Sequence, residues 1–148
     1  MSTLLIKIHQ IHECLKIICD VESDTLNSNL LSLFKRKDFP GNESKLLVTR
    51  GKLIELQASL DAHFGKSDGI DSVVIESKLY AQALTISTSK LLYINDRLHQ
   101  KARGEPYSMT EYTKDVNEFK SLQHQYCAIG ERMNVRYRLH SHEIASMK

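Results

Sequence analysis

Apolar residues recur at steps of four and three through most of this chain. Between residues 2 and 22 they are Leu4, Ile8, Ile11, Leu15 and Ile18, while His9, Gln10, Glu13, Lys16 and Asp20 fall off that line. Such a seam belongs to a helix that packs on another helix. Residues 23–29 read Ser-Asp-Thr-Leu-Asn-Ser-Asn, types whose side chains compete with the helical backbone and favour caps. The pattern predicts either a break here or a weak stretch in one long helix. A second helix is placed over about 24–37, with Leu26, Leu30, Leu33 and Phe34 on its face and Lys35, Arg36 and Lys37 in its last turn, where cations suit the negative dipole end. Asp38-Phe39-Pro40-Gly41-Asn42 reads as a stop, because proline disfavours helix at the residue before it. A third helix follows over about 43–64 on Leu46, Leu53, Leu56, Leu60 and Phe64. Gly51 is its soft spot, costing about 1 kcal/mol relative to alanine.

The second half is simpler. A helix over about 71–102 carries Tyr80, Leu84, Ser87, Leu91, Ile94 and Leu98 on one face, and at 1.5 Å per residue it is roughly 48 Å long. Gly104-Glu105-Pro106 ends it. Ser108-Met109-Thr110-Glu111 has the form of a capping box, in which Ser accepts from the third amide and Glu reaches back to the Ser amide. The helix it opens runs over about 108–146 on Tyr112, Val116, Phe119, Leu122, Tyr126, Ile129, Met133, Tyr137, His140 and Ile144. Two long amphipathic helices joined by a short link make an antiparallel hairpin. The expected fold is all-α: one domain over 1–148, an elongated, coiled-coil-like bundle of four to five helices built on that hairpin.

Composition leaves this picture intact and narrows the function. At 148 residues and 17.0 kDa, with 41% hydrophobic residues, six Gly and two Pro, disordered, collagen-like and disulfide-scaffold classes are excluded. The net charge is only +2, no general field for nucleic acid. The excess lies in the second half, near the end, where Arg132, Arg136, Arg138, His140 and His142 make a short basic patch. Cys14, Cys19 and Cys127 are an odd count without a CxxC, so a reducing, cytoplasmic setting is expected. The opening residues read as neither signal nor transit peptide, and no run approaches the ~18 apolar residues of a membrane span.

Chemistry is sparse. Asp115 and Glu118, and Glu22 with Asp24, lie off the apolar seams and read as solvated charge. No Glu-x-x-His pair is present, so the di-iron pattern of helical bundles is missing. His9, His12 and Glu13 near one end, with His140, His142 and Glu143 near the other, lack the three or four fixed ligands of a zinc site. No cofactor and no metal are expected. Gly65-Lys66-Ser67 follows a helix and lacks the upstream glycine of a phosphate loop. Tyr80, Tyr112, Tyr126 and Tyr137 fall at core spacing, which leaves Tyr93 and Tyr107 looking free.

The most pointed motif is Arg136-Tyr137-Arg138-Leu139-His140-Ser141-His142. It resembles the Arg-x(4–6)-His signature of HEPN-type ribonucleases, small all-helical proteins. The resemblance implies that Arg136 would stabilise phosphate charge and His142 would act as general base in a dimer cleft. The position after the Arg, usually polar in that family, is Tyr137. Without the resemblance, the segment is a basic helix end suited to the dipole. In size and amphipathic pattern the chain is also similar to small type III and flagellar export chaperones, with no diagnostic motif.

The expectation is a non-enzymatic helical protein–protein interaction module: a subunit, adaptor or small chaperone whose partner is another protein or a second copy, with neither nucleic acid nor membrane. Leu84, Leu91, Ile94, Leu98, Tyr112, Phe119, Tyr126 and Met133 are its packing residues first and its candidate partner contacts second. The alternative is a HEPN-like RNA-cleaving or RNA-binding protein using Arg136 and His142.

Overall fold

A computed structural model describes residues 3–26, 38–64 and 72–146, the last eleven of these by their helical backbone. Their regular structure is all helical: α1 (Thr3–Thr25), α2 (Phe39–Phe64), α3 (Ser72–Ala102) and α4 (Met109–Ser146). The helix expected over 24–37 falls on residues outside those described, apart from its start. Residues 24 and 25 are the last of α1, and Leu26 keeps the ladder by donating its amide to the Glu22 carbonyl at 2.7 Å.

The start of α2 departs from expectation. The helix begins at Phe39, not near residue 43, and takes Pro40 and Gly41 into its first turn. Proline costs nothing there, because the first four amides of a helix have no internal acceptor and one of them can be dispensed with. Asp38 is the cap. Its Oδ1 accepts from the Gly41 amide at 3.1 Å, and its carbonyl accepts the first helical bond, from Asn42, at 2.9 Å. The carboxylate sits where a side chain at Gly41 would stand, so glycine leaves room for the cap.

The α3–α4 link behaves as read. Gly104 takes φ +99°, and the Glu105 amide returns to the Gln100 carbonyl at 3.0 Å, a closing turn that glycine enters without strain. Ser108 and Glu111 complete the capping box reciprocally, at 3.1 and 3.0 Å.

The helices form a compact bundle with α3 as its hub. α3 packs along α2 and α4 and also touches α1, while α1 rests mainly on α2. No close backbone approach joins α4 to α1 or α2 among the described residues. The core takes Ile8, Ile11, Ile18 and Val21 from α1, Leu46, Leu53 and Leu60 from α2, Leu84, Leu91 and Ile94 from α3, and Phe119, Tyr126 and Met133 from α4. Several polar seam positions are answered internally. The Ser77, Ser87 and Thr88 hydroxyls donate to the carbonyls of Val73, Ala83 and Leu84, at 2.7, 2.9 and 2.7 Å. Gln123 donates from its amide to both oxygens of Glu22 on α1, at 3.1 and 3.0 Å. Burial raises the Glu22 carboxyl above its usual range against the pull of Gln123 and Lys120.

Candidate functional site

The sequence nominates eight apolar residues on α3 and α4. Leu84, Leu91, Ile94, Leu98, Phe119, Tyr126 and Met133 are buried inside the bundle, and Tyr112 is half-buried against it. They line one internal seam. In the basic patch, Arg132 is exposed and 3.5 Å from the Glu76 carboxylate of α3. Arg136, Arg138, His140 and His142 lie on the helical backbone of α4, and their side chains are outside the described residues.

Two sequence expectations are corrected nearby. Tyr107 is buried, not free, and Asp115 is buried, not a solvated charge. The Tyr107 hydroxyl donates to Asp115 Oδ2 at 2.6 Å, and Lys90 Nζ donates to Asp115 Oδ1 at 3.0 Å and to Glu118. Arg97 lies over the Tyr107 ring at 4.7 Å and donates to the Pro106 carbonyl at 3.2 Å. Burial pushes the Asp115 carboxyl upward, but the Tyr107 hydroxyl and the Lys90 ammonium outweigh it and hold it below the ordinary carboxylate range. Burial, reinforced by the Asp115 carboxylate it bonds, raises the Tyr107 phenol. These bonds tie α3, the link and α4 together as a staple.

A groove of about 410 Å³ runs between α1 and α2, lined by Lys7, Gln10, Glu13, Cys14, Lys52 and Glu55 among others. Its charges are balanced in sign, and burial raises the Cys14 thiol at its base, which makes that sulfur a poor nucleophile. Among the described residues no three His, Cys, Asp or Glu side chains are placed to hold a metal ion. No described helix is long and apolar enough to cross a membrane.

The unusual surface is the solvent side of α3. Ile75, Leu79, Gln82, Ile86, Ser89 and Tyr93 are all exposed and follow one another in alternating steps of four and three. α3 therefore carries two seams: Leu84, Leu91 and Ile94 turned inward, and this one turned out. Its place is set by the flanking contacts. On one side, Lys78 meets Asp61 of α2 at 2.7 Å, Thr85 accepts from Gln57 at 2.9 Å and Ser89 accepts from Arg50 at 3.3 Å. On the other, Glu76, Lys90 and Arg97 meet Arg132, Glu118 and Glu111 of α4. The outer seam falls between those two rows on the helix surface, with Ser89 shared by the seam and the α2 row. Leu47 and Ile54 lie just outside the Arg50–Gln57–Asp61 row of α2 and extend the apolar strip.

Ile86 is 49% exposed, Tyr93 46%, and Ile75 and Leu79 40% each. Scattered apolar residues on a surface are ordinary, but these four share one line along the helix. Sequence reading found the inner seam and passed over the outer one. The signal was present as a repeat of isoleucine, leucine and tyrosine four and seven apart. It is weaker because Gln82 and Ser89 interrupt it, and periodicity alone does not say which of two seams faces the core.

No protein-family model matches this chain, and no curated protein or solved structure matches it.

Proposed function

We propose that this chain is a non-enzymatic helical interaction module, a subunit, adaptor or small chaperone, that engages a polypeptide through the outer seam of α3. The observation that carries this is the row Ile75, Leu79, Ile86 and Tyr93, half-exposed at heptad spacing between two walls of ion-paired and hydrogen-bonded side chains. A seam of that period accepts the knobs of another helix. Water against it costs free energy that a helical partner would recover. The eight inward residues have the supporting role: they hold α2 and α4 where they wall the seam.

In this reading α3 and α4 are an antiparallel, coiled-coil-like hairpin. The pairs of residues 76 with 132, 90 with 118 and 97 with 111 support it, since the number on one helix rises as the other falls. Free Cys14, Cys19 and Cys127 suit the reducing cytoplasm.

The test is a pull-down of the tagged chain at native expression, comparing wild type with Ile86→Glu, with the companions identified by mass spectrometry. Recovery of a polypeptide companion, including an untagged copy of the chain, that Ile86→Glu loses is the expected result. Labelled RNA should pass through wild-type protein uncut. Cleavage that disappears in His142→Ala would replace this reading with the ribonuclease one.

A further inference from the structure

We infer that the occupant of the outer α3 seam is a second copy of this chain, packed with its α3 parallel and in register about a two-fold axis running along the two helices. This rests on the reading of the seam as an interaction surface and goes on to name what covers it.

The first argument is the order of residues along the seam. Laid parallel and in register, Ile75 meets Ile75 of the copy, Leu79 meets Leu79, Gln82 meets Gln82, Ile86 meets Ile86, Ser89 meets Ser89 and Tyr93 meets Tyr93. Every apolar layer is apolar on both sides, and each polar layer can bond to itself. A carboxamide at such a position donates and accepts, and one polar layer in an apolar seam sets register and orientation. Turned antiparallel about the same level, Gln82 would lie on Ile86 and Leu79 on Ser89. That leaves a buried amide without a partner, at the full cost of its lost water.

The second argument is charge. An axis along α3 brings the α2 wall of one copy against the α4 wall of the other. Arg50 stands at the level of Ser89, and Glu118 at the level of Lys90. Asp61 stands at the level of Lys78, and Arg132 at the level of Glu76. The symmetry thus sets Arg50 against Glu118 of the copy and Asp61 against Arg132 of the copy, each twice. Asp61, Glu118 and Arg132 retain 70%, 48% and 56% of their side-chain exposure, so they have capacity for a second partner. Between the walls, Lys78 comes to the level of Glu76 of the copy. An isologous dimer needs a surface complementary to itself, and both the apolar layers and the rims of this face meet that condition.

The experiment uses the purified full chain. Sedimentation velocity should give a species of twice the 17.0 kDa chain mass. Ile86→Glu should weaken self-association by at least about 100-fold, because each dimer would bury two charges in its seam, with unchanged helical circular dichroism. Geometry is read separately with Gln82→Cys in a Cys19→Ser, Cys127→Ser background. Mild oxidation should link that cysteine to its own counterpart, and Ser89→Cys should link in the same way. The proposal is overturned by a monomer at all concentrations up to about 100 μM, by a dimer that Ile86→Glu leaves intact, or by cysteines at 82 and 89 that do not link. A monomer whose Ile86→Glu variant loses a different polypeptide would refute the second copy while leaving the interaction module standing. A monomer with no companion would end both.

Discussion

Asp115 shows what one residue does when its neighbours are supplied by the fold. Two donors, the Tyr107 hydroxyl and the Lys90 ammonium, hold its two oxygens. Removing the carboxylate leaves a buried phenol and a half-buried ammonium short of a partner. Asp115→Ala should therefore cost about 2–4 kcal/mol in urea unfolding. Because the folded carboxyl titrates below its ordinary range, its contribution is complete above the unfolded value near pH 4 and is lost as the pH falls through the folded one. Wild-type stability should drop on acidification in that window, and Asp115→Asn should show less of the drop. The glycines make a matched pair at the same scale. A side-chain carbon at Gly51 would meet nothing within 4 Å, whereas one at Gly130 would stand 3.0 Å from the buried Tyr80 ring. Gly51→Ala should stabilise by about 0.5–1 kcal/mol through helix propensity. Gly130→Leu should destabilise by about 1–3 kcal/mol through overpacking. The denaturation midpoints of the two variants should move in opposite directions.

At the level of elements, the chain starts α2 and α4 by side-chain caps, and these differ in how openly the sequence displays them. Ser108 and Glu111 form a reciprocal pair recognisable from spacing alone. Asp38 does the same work for α2, but Pro40 and Gly41 disguise it as the middle of a loop. The rule that proline ends helices applies to interiors, and Pro40 sits in a first turn where no amide is required. Ser108→Ala and Asp38→Ala should each lower stability by about 1 kcal/mol, measurable by thermal or urea unfolding. A helix that truly began near residue 43 would be indifferent to Asp38, so that variant discriminates the two boundaries. The four buried or half-buried tyrosines act at the joints between elements. Tyr80, for instance, reaches from α3 to His12 of α1, ring centroids 5.9 Å apart, and to Gly130 of α4.

For the whole molecule, those tyrosines couple packing to pH. Burial raises the phenols of Tyr80, Tyr107, Tyr112 and Tyr126 above their usual value. A raised folded pKa gives stability that is present below the unfolded value, near 10, and is lost as the pH rises toward the folded one. Their phenolate absorbance should appear together with loss of helical circular dichroism on alkaline titration, not ahead of it. Burial likewise distinguishes the thiols. Cys14 is buried, while Cys19 and Cys127 are exposed. A thiol reagent should label two cysteines per native chain and the third only on unfolding. Three labelled at the native rate would show that the α1–α2 contact opens readily.

Much of this protein could be read from order alone. The steps of four and three specify helices, because 3.6 residues per turn brings those positions onto one face. Nearly every described inner-seam residue so identified on α1, α2 and α3 is buried; on α4 Phe119, Tyr126 and Met133 are buried and Tyr112, Val116, Leu122 and Ile129 half-buried. Helix ends at Gly104 and Ser108 followed from local chemistry, since a cap involves only residues a few positions apart. Three matters were decided by tertiary structure. Tyr107 and Asp115 are buried because α3 brings Lys90 and Arg97 beside them, an arrangement no local spacing announces. The amide of the polar residue Gln123 finds Glu22 of α1 across the bundle, whereas the Ser87 hydroxyl needs only the carbonyl one turn back. The apolar row left to solvent is the outer seam of α3, because α2 and α4 grip the helix on either side of it. A sequence states that a helix has two greasy faces, but only the placement of its neighbours determines which of them remains uncovered.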